Sequence, residues 1–113
     1  YSAFPPCMRK IYQELRSGEL VGHNPRFVFV TFMANIKMPK KEMIMAFEKQ
    51  PNFNEQRTQY HVEHSLGEQG GIKYSCPSCV KMDTYGLCFK DASCVKRHPV
   101  SNYILNKKRK KNG

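Results

Sequence analysis

What this chain lacks narrows its chemistry first. Nine acidic residues face nineteen lysines and arginines, so carboxylate-driven catalysis has few candidates. No apolar run approaches membrane-spanning length. Residues 1–20 hold no apolar core of the kind a secretory signal needs, and Glu14, Arg16 and Glu19 fall among them. A secreted, disulfide-stapled protein is therefore not expected, and five cysteines is an odd count for such a framework. There is no Walker-type glycine loop and no nucleophile elbow. His61 and His64 are three apart, but the carboxylate of an H-E-x-x-H pair is missing. No internal repeat, interdomain linker or low-complexity stretch precedes the tail.

The 113 residues bound the chain to one domain with a small core. Domains of this size often lean on a metal or on disulfides for extra stability. Formal charge is +10, and Lys107-Lys108-Arg109-Lys110-Lys111 carries five of those charges. The remainder still holds about +5, so basicity is not confined to the end. Anionic partners are implied, nucleic acid foremost. We divide the chain into a domain over residues 1–105 and a basic tail over 106–113. The tail reads equally well as a solvated, fraying terminus.

The cysteines carry the strongest signal. Cys7 stands alone in Phe4-Pro5-Pro6-Cys7, whereas Cys76, Cys79, Cys88 and Cys94 fall within nineteen residues. Buried cysteine is often an inert small hydrophobe, but four so close in a loop-rich stretch argue for ligation. In a reducing compartment clustered thiols bind metal more often than they pair. An all-thiolate set selects zinc or an iron–sulfur cluster. Two ligand sets stay open at this point. Cys76-x2-Cys79-x8-Cys88-x5-Cys94 is a zinc-ribbon-like spacing that leaves Cys7 free. The other set uses Cys7 and leaves a later thiol spare.

The pattern between the cysteines is helical. Pro5-Pro6 opens a helix with Met8, Ile11, Tyr12 and Leu15 on one face, and Gly18 ends it. His23-Asn24-Pro25-Arg26 is a loop or a helix start. Phe27 to Met33 is apolar throughout and suits a buried strand or a buried helix. Pro39 starts a helix with Met43, Ile44 and Phe47 on one face, and Pro51-Asn52 breaks it. Asn52 or Asn54 caps the next, which runs to about His64. Gly67 to Gly71 is a turn, and Ile72 to Cys94 reads as irregular loops. His98-Pro99 begins a last helix with Val100, Tyr103 and Ile104 on one face.

Two polar groups suit nucleic acid. Arg26 offers a planar, permanently charged fork to phosphate oxygens, and His23 and Asn24 add neutral hydrogen bonds. Tyr60 and His61 lie on the capped helix, with His64 on a shared face. Stacking rings beside cations are what single-stranded bases and terminal phosphates require. The bland alternatives are a surface ion pair of Arg26 with Glu63 or Glu68, and structural roles for His64 and His98. For the two histidines we prefer the structural role.

These motifs together resemble the C-terminal domain of the large, non-catalytic subunit of archaeal and eukaryotic DNA primase. The resemblance spans Phe4 to about Tyr103. Its late motif is carried by Tyr74, Ser78, Cys79, Met82, Tyr85, Gly86 and Cys88. Cys94, followed by His98-Pro99 and Tyr103, matches the archaeal form of the last ligand. The resemblance implies a mostly α, small helical domain with irregular loops organised around a 4Fe–4S cluster. It implies Cys7, Cys79, Cys88 and Cys94 as ligands and Cys76 as a spare thiol. It gives His23, Asn24, Arg26, Tyr60 and His61 the task of holding template and the 5′-triphosphate end of the primer, with His64, Gly67, Gly70 and Tyr74 continuing that motif. No catalysis of its own is implied, in keeping with the absence of carboxylates to hold two metal ions for nucleotidyl transfer. Expected partners are a catalytic small subunit or fused catalytic domain, single-stranded template DNA, the RNA or DNA primer 5′ end and a nucleoside triphosphate, but no membrane. The expected setting is the cytoplasm, in an archaeal replisome. The chain departs from the pattern at Gly22, where eukaryotic relatives are basic, and at His61, where they have Asn. Lys37, Lys40, Lys41 and Lys73 are cations that could make up the charge. The alternatives are a zinc-bound nucleic-acid module and an iron–sulfur redox protein.

Overall fold

The computed structural model describes residues 3–67, 76–91 and 94–112, the last three as helix backbone alone. Among the described residues there are helices and no strand. The helices are α1 (Pro6–Ser17), α2 (His23–Asn35), α3 (Lys40–Met45), α4 (Glu55–Ser65), α5 (Cys79–Thr84) and α6 (Pro99–Asn112). The mostly α expectation holds. The expected turn beyond Gly67, together with Glu68, Gly70, Lys73 and Tyr74, lies outside the described residues.

Helix α1 forms as its proline start and apolar stripe dictate. Pro5 is the N-cap, and Cys7, Met8, Ile11 and Leu15 are buried on one face. Gly18 ends it at φ 86°, a left-handed conformation that costs glycine nothing. Helix α2 settles the open apolar run. Val28 to Ala34 are seven consecutive buried residues, and a helix apolar all round belongs in the middle of a domain. It packs against α1, α4 and α6, while α3 packs against α4. A strand here would have no partner among the described elements, whereas a helix satisfies its own backbone. His23-Asn24-Pro25-Arg26 is therefore the first turn of α2, not a loop.

Short polar contacts fix the turns. Asn54 caps α4, its side chain accepting from Arg57 N–H at 2.9 Å. Gln50 is buried, 4% exposed, and pins the α1–α2 connection. Its amide donates to Glu19 O at 2.7 Å and Leu15 O at 3.3 Å, and its Oε1 accepts from Val21 N–H at 3.1 Å. Ahead of α1, Phe4 sits in an aromatic box. Its ring lies 5.2 Å from Phe32, 5.9 Å from Tyr12 and 5.9 Å from Tyr103. Asn106 on α6 also donates to Ala3 O at 3.2 Å. The start of the chain is thus joined to α6 by packing and a hydrogen bond.

One expectation needs correction. Within Ile72–Cys94, residues 79–84 are the helix α5, because Ser78 caps it by accepting from Lys81 N–H. Gly86, at φ 73°, then turns the chain toward Cys88. On α6, Ile104 is 48% exposed. The inward positions of α6 go instead to Asn102, which is buried, and to the half-buried Val100 and Tyr103. Helix α6 runs without a break through the basic stretch to Asn112.

Candidate functional site

Helices α2 and α4 pack side by side, and a cavity of about 270 Å³ opens between them. From α2 it receives His23, Arg26, Phe27 and Val30, and from α4 Arg57, Thr58, His61 and His64. Phe47 and Val62 add apolar wall, and Asn52 and Asn54 polar wall. No carboxylate lines it among the described residues. Arg26 is half-buried, with its guanidinium carbon 5.9 Å from the Phe47 ring centre. An aromatic face orients a guanidinium and leaves its N–H fork for another partner. His23 stacks on Phe27 one turn along the same helix, 6.4 Å and 18° apart. On α4, Arg57, His61 and His64 recur at i, i+4 and i+7 and so share a face.

Electrostatics agrees with the lining. His61 is held below its ordinary pKa, first by partial burial and then by Arg57, Arg26, His23 and His64. Positive charge therefore converges on one imidazole, and no carboxylate among the described lining residues balances the field. Such a cavity attracts anions.

The structure sorts the sequence-derived residues. His23, Arg26 and His61 come together in the lining, and His64 joins them. Asn24 and Tyr60 do not line the cavity. Tyr60 is 52% exposed, with its ring stacked on His64 at 10° and 6.1 Å and edge-on to His61 at 5.8 Å. An exposed ring braced from behind is available to a base outside the cavity. Of the expected compensating lysines, the three that are described lie elsewhere. Lys37, Lys40 and Lys41 do not line the cavity, and Lys40 pairs with Glu63 at 3.5 Å. Arg57 does line it, and sequence reasoning missed it. Its signal was the i, i+4, i+7 spacing with two histidines. His98 has the structural role expected of it. Its Nδ1 accepts from Val100 N–H at 3.1 Å, so Nε2 carries the proton and donates to Cys76 O at 3.0 Å.

A second, open cavity of about 430 Å³ lies beside the first turn of α1 and α5. Cys7, Cys79, Cys88 and Cys94 all line it, and Cys76 does not. All five cysteines are free thiols. Cys7 is pushed up to about 12 by burial and by the neighbouring Cys79, Cys94 and Cys88. Cys76 is likewise raised to about 12, by burial and by Cys7 and Cys79. Cys79 begins α5, and its Sγ lies 3.9 Å from Asn102 Nδ2. Among the described residues no group of three or more His, Cys, Asp or Glu side chains is arranged to hold a metal ion. The four thiols stand around a space far larger than the ~10–15 Å³ a single water-sized sphere needs. A soft, all-thiol donor set around a large cavity fits a polynuclear cluster better than one ion. Lys90, Lys96 and Arg97 share the lining with Asp83, so cations are at hand to offset thiolate charge.

Comparison with known proteins gives one consistent answer. The family model for the C-terminal domain of the eukaryotic and archaeal DNA primase large subunit matches residues 1–112. The DNA primase large subunit PriL of Archaeoglobus fulgidus is 42% identical over 103 residues, 90% of this chain and 27% of that protein. PriL of Methanocella arvoryzae is 36% identical over 110 residues, 96% of this chain and 30% of that protein. PriL of Thermoplasma volcanium is 33% identical over 112 residues, 95% of this chain and 34% of that protein. The chain thus spans between about a quarter and a third of these relatives. No solved structure matches.

Proposed function

Because the chain belongs to the family formed by the C-terminal domain of the eukaryotic and archaeal DNA primase large subunit, we propose that it holds template DNA and the initiating nucleotide, or the 5′-triphosphate end of the growing primer, during primer synthesis in replication. It acts by positioning, without catalysis of its own. Holding two reactants in register is itself a large rate contribution. The partner that forms the bonds is a catalytic small subunit or fused catalytic domain, in the cytoplasm of an archaeal cell. Among the described residues no helix is long and apolar enough to cross a membrane.

The observation that carries this reading is the cavity between α2 and α4, which has no carboxylate among its described lining residues and has Arg26, Arg57, His23, His61 and His64 in its wall. Arg26 offers charge-assisted hydrogen bonds to phosphate oxygens. His61 and His23 add shorter-range contacts, and Tyr60 and Asn24 serve the strand outside the cavity. Cys7, Cys79, Cys88 and Cys94 would hold a 4Fe–4S cluster, supported by their shared cavity and by the exclusion of Cys76 from it. When bound, the cluster would tie the first turn of α1 to residues 79–94, and cluster binding of this kind is coupled to folding. The part played by this chain's own residues at the nucleic acid needs only their charge and rings.

The test compares primer–template junctions carrying a 5′-triphosphate or a 5′-hydroxyl, titrated at two salt concentrations. The triphosphate junction should bind more tightly, and Arg26→Ala should remove most of that preference. A charge-assisted hydrogen bond of this kind is worth about 1.5–3 kcal/mol. Removing residues 107–111 should weaken both junctions alike and flatten the salt dependence, since the slope follows the number of phosphates that the protein neutralises. Equal affinity of the intact chain for both ends would reject the primer-end role.

A further inference from the structure

We propose that Arg57 is a second phosphate-gripping residue, closing on a terminal polyphosphate from α4 while Arg26 holds it from α2. The inference rests on the reading of the cavity given above and adds to it the residue that lets the cavity measure phosphate number. Arg26 and Arg57 line the same cavity from two different helices. A guanidinium fork pairs with one phosphate group at a time. Two forks mounted on separate helices can each take a different phosphate of one polyphosphate.

Three further observations point to Arg57. Its backbone is fixed, because the N–H donates to the cap side chain of Asn54 at 2.9 Å. Its own side chain is exposed, and among the described residues no carboxylate stands in the cavity wall. His61, one turn further along α4, feels both Arg57 and Arg26, so the two guanidinium charges act on the same imidazole. The lysines that could have supplied this charge, Lys37, Lys40 and Lys41, stay outside the lining.

The α2 wall leaves room to repeat the charge. Gly22 caps α2 at φ −67°, an ordinary conformation for any residue. A Cβ added there meets nothing closer than Pro25 Cδ at 3.9 Å. An arginine at position 22 would start next to His23, which lines the same cavity. A charge removed from α4 can therefore be returned from α2.

Consecutive phosphates could come from a 5′-terminal triphosphate or from a strand's backbone, and the experiment separates them. The probes are inorganic tripolyphosphate, the 5′-triphosphate junction and the 5′-hydroxyl junction, titrated into anaerobically purified protein. Arg57→Ala should weaken tripolyphosphate and the triphosphate junction ten-fold or more, and the hydroxyl junction less than two-fold. Its thermal midpoint should match the parent, as expected for an exposed side chain. Arg57→Lys should restore only part of the loss, since a point charge replaces a fork. Gly22→Arg placed in Arg57→Ala should restore triphosphate preference, which a merely structural role for Arg57 would not allow. If Arg26→Ala abolishes tripolyphosphate binding and Arg57→Ala leaves it unchanged, the second grip is wrong and the cavity reading stands. If Arg57→Ala weakens both junctions equally, Arg57 is a backbone contact and the proposal also fails. If the intact chain binds both junctions equally, it is the cavity reading that fails.

Discussion

Asn102 holds both backbone groups of Lys96: Lys96 N–H donates to its Oδ1 at 2.9 Å, and its Nδ2 donates to Lys96 O at 3.2 Å. The same Nδ2 lies 3.9 Å from Cys79 Sγ. One amide in the first turn of α6, 1% exposed, therefore joins the loop after Cys94 to the start of α5. Cys79 N–H adds a parallel tie, donating to Arg97 O at 3.0 Å.

Asn102→Leu keeps the volume and removes the hydrogen bonds. Each buried backbone group left without a partner costs about 1–3 kcal/mol. The thermal midpoint should fall by roughly 4 °C or more for each kcal/mol removed from a domain of this size. Iron and sulfide content should fall with it, because Cys79 and Cys94 would no longer be held toward one cavity. Differential scanning calorimetry beside metal analysis checks both. An unchanged midpoint would show that the loop is positioned without Asn102.

The thiol assignments separate cleanly by single substitution. Cys7→Ser, Cys79→Ser, Cys88→Ser and Cys94→Ser should each abolish the broad visible absorbance of anaerobic protein and lower its solubility. Cys76→Ser should keep the absorbance, since Cys76 is buried outside the shared cavity. Intact protein should contain iron and sulfide in about equal amounts, as a thiolate-held cubane requires. Stoichiometric zinc without sulfide in protein never exposed to air, or colour surviving Cys7→Ser but not Cys76→Ser, would return the site to the zinc-ribbon-like set.

The sequence announced elements with their own punctuation. Pro5-Pro6 and Gly18 bounded α1, Pro39 opened α3, and Asn54 capped α4, because these residues act through their own backbone or nearest turn. The run from Phe27 to Met33 could not be resolved locally. Its helical state follows from being surrounded by α1, α4 and α6, a tertiary fact. Phe4, Gln50 and Asn102 escaped notice for the same reason. Each reaches partners distant in sequence, and neither spacing nor propensity reports on such contacts. At the cavity, His23, Arg26 and His61 were legible through motif and residue type. Arg57 went unread, because its i, i+4, i+7 spacing with His61 and His64 acquires a meaning only when α2 is laid beside α4.

The lowered pKa of His61 gives the cavity a signed pH dependence. In the empty cavity its proton is disfavoured by partial burial and by Arg57, Arg26, His23 and His64. Its folded-state pKa lies below the ordinary 6.5, so the folded chain binds fewer protons there than the unfolded chain. Stability contributed by this group is present above pH 6.5 and lost as pH falls through the folded-state value. A bound polyphosphate reverses the balance, because negative charge favours the imidazolium. Protons are then taken up on binding, and affinity for the triphosphate junction should rise as pH is lowered from about 8 toward about 6. Protonation of the terminal phosphate, with a pKa of about 6, works the other way. The decisive quantity is therefore the difference between the parent and His61→Gln. His23 and His64 remain in both proteins, so this difference isolates His61. Titrations across that range should give a parent curve that climbs relative to His61→Gln, and proton uptake measured calorimetrically in two buffers should be smaller for the variant. Parallel curves would mean that His61 stays neutral beside the bound phosphate and contributes only hydrogen bonds.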